Sequence, residues 1–243
     1  MGQSPLFSVI IPAYNEEKTI AATLRSIIRQ NFPPNQYEVI LVNNNSTDRT
    51  KEIAQKFPIK VVDEKKQAYV HALRKGCQEA KGKILVFTDA DTIVPANWLK
   101  KYQEAYRNPR VVCAGGGGKL EPRVFLSPII EKFLFLAGII LKIFSGFNFS
   151  IRRTTYQKIG GFNPQINFNT DTDLILRAKK EGKAIFLKEN NVITSSRRYQ
   201  DISAFPYMSK GILNSLSLLF FKKTIFFEFG NVRNIGSNPK STQ

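Results

Sequence analysis

Histidine occurs once and cysteine twice in this chain of 243 residues, and these scarcities remove whole classes of architecture. Cys77 and Cys113 are too few for a disulfide framework and match no metal-ligand spacing. They read as small apolar residues of a protein kept in a reducing, cytosolic compartment. His71, beside Tyr69 and Arg74 in a helical pattern, reads as a structural or surface histidine. A long apolar run is missing as well. The best candidate, Val124 to Phe144, is interrupted by Glu131, Lys132 and Lys142. Its uncharged part, Phe133 to Leu141, is far short of the ~20 apolar residues that a spanning helix needs. Met1 to Pro5 is polar and Phe7 to Ile11 is too short for the apolar region of a signal peptide, so the N-terminus is expected to stay in the cytosol. Acid is the last shortage: 19 Asp and Glu face 36 Lys and Arg, a formal charge of +17. That excess implies an anionic partner, which charge alone leaves open between a nucleic acid, an anionic membrane surface and a phosphorylated substrate.

What is present is a chain able to bury a full core, with 42% hydrophobic and 23% charged residues. We expect one α/β domain with a modest appendage. Short β-branched runs at 7–11, 37–42, 59–62 and 84–88 read as strands, three of them apolar enough for a sheet covered on both faces. Between them, 16–30, 47–56 and 67–80 read as helices, with Pro33-Pro34 and Pro58 as stops. This alternation predicts a parallel, right-handed wound sheet whose ligand lies outside the carboxyl ends of its strands. Beyond it, 147–151 reads as a strand, 154–158 and 171–181 as helices, and Cys113 to Lys119, with four consecutive glycines but no Gly-Lys-Ser/Thr ending, as a flexible strand exit.

Three strand ends carry suggestive residues. The first runs into Pro12-Ala13-Tyr14-Asn15-Glu16, the second into Asn43-Asn44-Asn45 and the fourth into Asp89-Ala90-Asp91. Paired carboxylates at a strand end suit a hard divalent cation completed by substrate phosphates, although an Asp-rich turn capping a helix has the same appearance. Convergence of the three loops on one crevice favours a site. From Ala204 to Gly230 the chain mixes aromatic and aliphatic residues with Lys210, Lys222 and Lys223, a pattern suited either to a membrane interface or to a terminal helix packed on the sheet.

Taken in order, Phe7 to Glu17, Val42 to Thr50, Lys81 to Leu99 with its Thr-Asp-Ala-Asp-Thr, and Gly160 to Arg177 resemble the family 2 glycosyltransferases of the GT-A fold. The resemblance covers most of residues 6 to 200. It implies a Rossmann-like, mostly parallel sheet flanked by helices, in a domain spanning 1–200, followed by a basic amphipathic segment at 201–243. It further implies transfer of a sugar, with inversion, from a nucleotide diphosphate sugar. By the same resemblance Asp91 and Asp89 would hold Mn²⁺ or Mg²⁺, and Asp89 and Ala90 would also approach the donor. Pro12, Ala13, Tyr14 and Glu16 match the loop around base and ribose. Asn43 and Asn44 replace the usual acids there and offer amide oxygens without charge. Asn169-Thr170-Asp171-Thr172-Asp173 matches the segment that supplies the general base, which places Asp171 in that role and leaves Asp173 as a favourable charge at a helix start.

Where many members carry a metal-binding His, this chain reads Ser195-Ser196-Arg197-Arg198. Arg197 or Arg198 would either pair with the diphosphate or lie solvated at the surface. The expected enzyme is peripheral on the cytosolic face of the membrane, with a lipid-linked or glycan acceptor. The competing classes are a nucleotidyltransferase, which should carry a basic Gly-rich loop where Pro12 to Asn15 stands, and a nucleic-acid-binding module, for which no motif accompanies the charge. An inactive scaffold is the third, because of Asn43, Asn44 and Thr170.

Overall fold

Every residue of Phe7–Ala13 is buried, and this strand, β1, is the axis of the molecule. Its parallel neighbours are β2 (Tyr37–Asn43) and β4 (Ile84–Phe87), and β3 (Lys60–Asp63) lies outside β2. The computed structural model describes residues 4–166 and 168–197, together with Lys210, Leu213, Asn214, Ser217 and Leu218. Among them, eight strands form one sheet in the order β3-β2-β1-β4-β7-β6-β8-β5. Beyond β4 the sheet turns antiparallel through β7 (Phe149–Arg152), which pairs with β4 on one side and β6 (Val111–Glu121) on the other. The last strands, β8 (Lys183–Ser195) and β5 (Thr92–Ile93), run parallel to β6 and antiparallel to β8 respectively.

Period-two alternation assigns each side chain to a face. Val9 and Ile11, Val39 and Leu41, Ile84 and Val86 join one core with Ile20, Leu24 and Ile27 of α1 (Ile20–Ile28) and Trp98, Leu99 and Tyr102 of α4 (Trp98–Tyr106). Ile10, Ile40, Val42, Leu85 and Phe87 point the other way. There they meet Val70, Leu73 and Cys77 of α3 (Tyr69–Glu79) and Leu174, Ile175 and Ala178 of α7 (Thr170–Ala178). Helices thus cover both faces, as continuous apolar strands require. Each fully buried aliphatic side chain contributes roughly 1.5–3 kcal/mol. Cys77 and Cys113 are free and buried, and burial pushes both thiols up to about 12, in keeping with an apolar role.

The helix expected at 16–30 begins only at Ile20. The Glu16 and Glu17 N–H groups are taken instead by Thr50 Oγ1 and Asp48 Oδ2, next to the short helix α2 (Thr50–Ala54), so the first turn is tied to a neighbouring loop. The glycine run is a correction to the expected flexible exit. Gly115 to Gly118 lie inside β6, where a Cβ at Gly115 would enter the Phe144 ring, one at Gly116 would strike the Asn190 carbonyl, and one at Gly118 would meet Phe147. Close approach of neighbours, rather than mobility, is the reason for these glycines.

Two helices have no counterpart in the expected set: α4 and α5 (Ser127–Leu141). The latter forms within the interrupted apolar segment, and among the described residues no helix is long and apolar enough to cross a membrane. α6 (Arg153–Lys158) follows β7 directly. Of the expected C-terminal segment, the described residues are helical, with Asn214, Ser217 and Leu218 buried and Lys210 and Leu213 exposed. The rest of 201–243 lies outside the described residues.

Replacing Gly116 by Ala drives a Cβ into backbone, which cannot rotate away. We expect a loss of about 3 kcal/mol, read as a lower urea midpoint at unchanged slope.

Candidate active site at the strand carboxyl ends

Because β1, β2 and β4 are adjacent and parallel, their carboxyl ends open on the same edge, and the three loops are stitched together there. Asn44 N–H donates to Ala13 O at 2.9 Å, Asn15 N–H to Ser46 Oγ at 3.1 Å, and Thr47 N–H to Asn15 Oδ1 at 2.8 Å. Asn15 and Asn45 take positive φ (53° and 61°), a region that asparagine tolerates better than most residues. Pro12 is accommodated in a central strand because β4 stops pairing with β1 at Ile10, two residues earlier.

Pro12 and Ala13 are buried in β1, and Tyr14 is half-buried at the loop. Asn43 Nδ2 donates to Asp63 Oδ1 at 2.9 Å. Asn44 Nδ2 donates to the Glu64 and Lys66 carbonyls, each at 2.9 Å, and its Oδ1 accepts from Ala68 N–H at 3.1 Å. The two asparagines therefore hold the 63–68 loop that forms one wall of the crevice. Ala90 is a spacer: its side chain lies in the core and its carbonyl accepts from Thr23 Oγ1 at 3.0 Å.

The charged groups form two sets. In the first, the Arg197 Nη2 group donates to Glu16 Oε2 and to Asp91 Oδ2, both at 2.7 Å. Glu16 is 2% exposed and also accepts from Thr19 Oγ1 at 2.8 Å, so Arg197 supplies a counter-charge to a buried carboxylate. Ser195 Oγ accepts from Arg197 Nε at 3.0 Å. Of the arginine alternatives, Arg197 is exposed at 46% of its side chain yet held by two carboxylates, and Arg198 lies outside the described residues.

In the second set, Tyr69 Oη donates to Asp89 Oδ1 at 2.9 Å. Gly146 adjoins it: a Cβ there would lie 3.1 Å from Tyr69 Oη and 3.5 Å from Asp171 Oδ2. Asp171 accepts N–H bonds from Thr172, at 2.7 Å, and from Gly146. Burial raises its pKa to about 6, opposed by those two N–H bonds and reinforced by the charge of Asp89. Asp89 and Asp171, eighty-two residues apart in sequence, thus belong to one electrostatic unit. Asp173 faces Arg177 instead, at 2.5 Å, as expected of a structural charge. Tyr69 and Gly146 carry no motif that marks them in the sequence; only packing of α3 against the β4 exit reveals them.

The donor set fits a hard divalent cation. Asp91 is half-buried and its present partner is itself a cation, while two carboxylates with substrate oxygens are a usual Mg²⁺ complement. Among the described residues no cluster of three or more His, Cys, Asp and Glu could hold a metal alone, so substrate oxygens would have to complete the shell.

An open α/β sheet with facing loops of this kind defines a GT-A-type fold. The chain aligns with a Pyrobaculum calidifontis mannosyltransferase, solved with GDP-Man and Mn²⁺, at a TM-score of 0.72 and 21% identity, covering 91% of this chain and 65% of that one. It aligns with Staphylococcus aureus TarS in complex with UDP at a TM-score of 0.67 and 20% identity, covering 87% and 65%. A Pyrococcus furiosus dolichol-phosphate mannosyltransferase is 32% identical over 189 residues, 71% of this chain and 53% of that protein. The family described as Glycosyl transferase family 2 matches residues 8–167, and the chain belongs to that family. It spans about half the length, or less, of the curated relatives it matches.

Because the folded pKa of Asp171 lies above its ordinary value of 3.8, ionisation of this carboxylate opposes folding. Asp171→Asn should therefore be more stable than the parent at neutral pH, by about 1 to 2 kcal/mol for a side chain partly open to the cleft. The gain is full above about 6 and vanishes as pH falls towards 3.8. Thermal midpoints across that window check it.

Proposed function

We propose that the chain transfers a sugar, with inversion, from a nucleoside diphosphate sugar to an acceptor hydroxyl or phosphate, on a lipid-linked or cell-envelope glycan. The observation that carries this reading is the shared crevice of Asp89 and Asp171, joined through Tyr69 and Gly146. Names of relatives support the acceptor class, since one acts on dolichol phosphate. This reading gives a catalytic domain at 1–200 and a basic amphipathic segment at 201–243, with the enzyme peripheral on the cytosolic face of the membrane.

Asp171 is the base that takes the acceptor hydroxyl proton, so that the oxygen attacks the anomeric carbon as the diphosphate leaves. Its raised pKa suits the task, because it is ionised at neutral pH yet a stronger base than an ordinary carboxylate. Asp89, oriented by Tyr69, and Asp91 would hold Mn²⁺ or Mg²⁺. When bound, that ion supplies Lewis-acid neutralisation of the charge on the leaving diphosphate. Arg197 offers the same diphosphate a fork of charged donors. Tyr14 and the Pro12-Ala13 strand end border the position of the base and ribose, with Asn43 and Asn44 shaping the wall behind it.

A screen of UDP, GDP, CDP and dTDP sugars by thermal shift, with and without Mn²⁺, identifies the donor, because a ligand of the native state raises its stability. With that donor, Asp171→Asn should lower turnover by about 10² to 10⁴ while donor affinity is kept. The parent rate should climb with pH through about 6. Full activity in Asp171→Asn would remove the base assignment, and full metal-stimulated activity in Asp91→Asn would remove the metal site.

A further inference from the structure

Helix α5 is apolar on both sides, and among the described residues only one side is covered. Ser127, Ile130 and Gly138 face inward, Gly138 so close to the Phe186 ring that a Cβ would collide with it. On the opposite side Ile129, Phe133, Leu136 and Ile140, spaced four, three and four residues apart, form a continuous stripe and are 62%, 48%, 42% and 70% exposed. Phe125, two residues before the helix, extends the stripe at 94% exposure. A helix apolar all round belongs against another apolar phase.

Most of the charges around the stripe are basic, with Glu121 and Glu131 as the acids nearby. Lys132 lies on the exposed side, Arg123 precedes the helix and Lys142 follows it, while Lys179 Nζ reaches the Leu141 carbonyl at 2.8 Å. Glu131, the helix's one acid, is turned inward, accepting the Leu120 N–H at 2.7 Å and pairing with Arg123. An apolar stripe bordered by cations complements acyl chains bordered by lipid phosphates.

We infer that the outer face of α5 is a docking surface for an anionic lipid bilayer, with the helix lying in the plane of the interface. Its 15 residues span about 22 Å, too little to cross a ~30 Å hydrocarbon core. The inference deepens the membrane-face part of the proposed function. It also gives that face a purpose, because α5 leads within five residues to Gly146, whose N–H binds Asp171. A bilayer against α5 therefore presents lipid-linked acceptors beside the base.

The test is flotation of the full chain with phosphatidylcholine vesicles containing about 30% phosphatidylglycerol, in the absence of donor, acceptor and metal. The parent should float with these vesicles, less so with pure phosphatidylcholine or in high salt. Ile129→Asp combined with Ile140→Asp should lower vesicle partition at least about tenfold, with the thermal midpoint unchanged because both side chains are exposed. Unaltered flotation of the double variant overturns the inference. So does a parent that ignores vesicles but self-associates in sedimentation, with self-association lost in the variant, since a second copy then covers the face. A parent that transfers sugar yet does not float sinks this inference alone, and one that floats without transferring sugar sinks the proposed chemistry alone.

Discussion

The Asn148 side chain is the tie on which the second half of the structure depends. It is fully buried and uses all four hydrogen-bonding positions: Oδ1 accepts from Trp98 Nε1 and Tyr102 Oη, both at 2.8 Å, and Nδ2 donates to the Gly117 and Asn190 carbonyls at 2.8 and 2.6 Å. One amide thus joins α4, β6, β8 and the entry to β7. A buried polar network of this kind specifies a single arrangement, because any slip leaves several groups unpaired at once. The glycines of β6 belong to the same constraint, since only strands without side chains there let these carbonyls come within reach. Two residues before Asn148, Gly146 delivers its N–H to Asp171, so the tie that locks the fold also sets the floor of the crevice.

Electrostatics divides that crevice into a satisfied part and a tense part. Arg197 compensates Glu16 and Asp91, and this stabilises a buried acid beneath the first loop. On the other side Asp89 and Asp171 repel, with Tyr69 and two backbone N–H groups as the mitigating donors. The imbalance is costly to folding and, on the proposed reading, useful to chemistry. A carboxylate held uncomfortable in its ionised form is one that takes a proton readily. The positive charge of the chain lies in part elsewhere, beside the apolar face that α5 leaves exposed.

The parallel core was legible because its cause is local. Runs such as Val9-Ile10-Ile11 and Leu85-Val86-Phe87 are apolar on both faces, and prolines end the intervening segments. The antiparallel half was hardly legible. β8 is a 13-residue strand whose apolar runs, Ala184 to Leu187 and Val192-Ile193, are split by Lys188, Glu189, Asn190 and Asn191, and its partner, β6, has glycines that imitate a loop. α1 starts late because its first N–H groups find partners in a distant loop, which no propensity encodes. The site shows the same division. Asp89, Asp91 and Asp171 stood out by motif, but Tyr69 and Gly146 did not, and Glu16 is engaged beneath the loop with Arg197.

By itself, then, the amino-acid sequence determined the class of fold and the family, and it singled out the strand ends and the carboxylates on which the proposed chemistry rests, because periodicity and residue type are local properties. Tertiary structure alone decided how those residues are coupled: that Arg197 spans Glu16 and Asp91, that Tyr69 holds Asp89, that burial and Asp89 raise Asp171, and that α5 keeps an apolar face outward. Those couplings depend on distance through space and on exclusion of water, and neither quantity exists until the chain has folded.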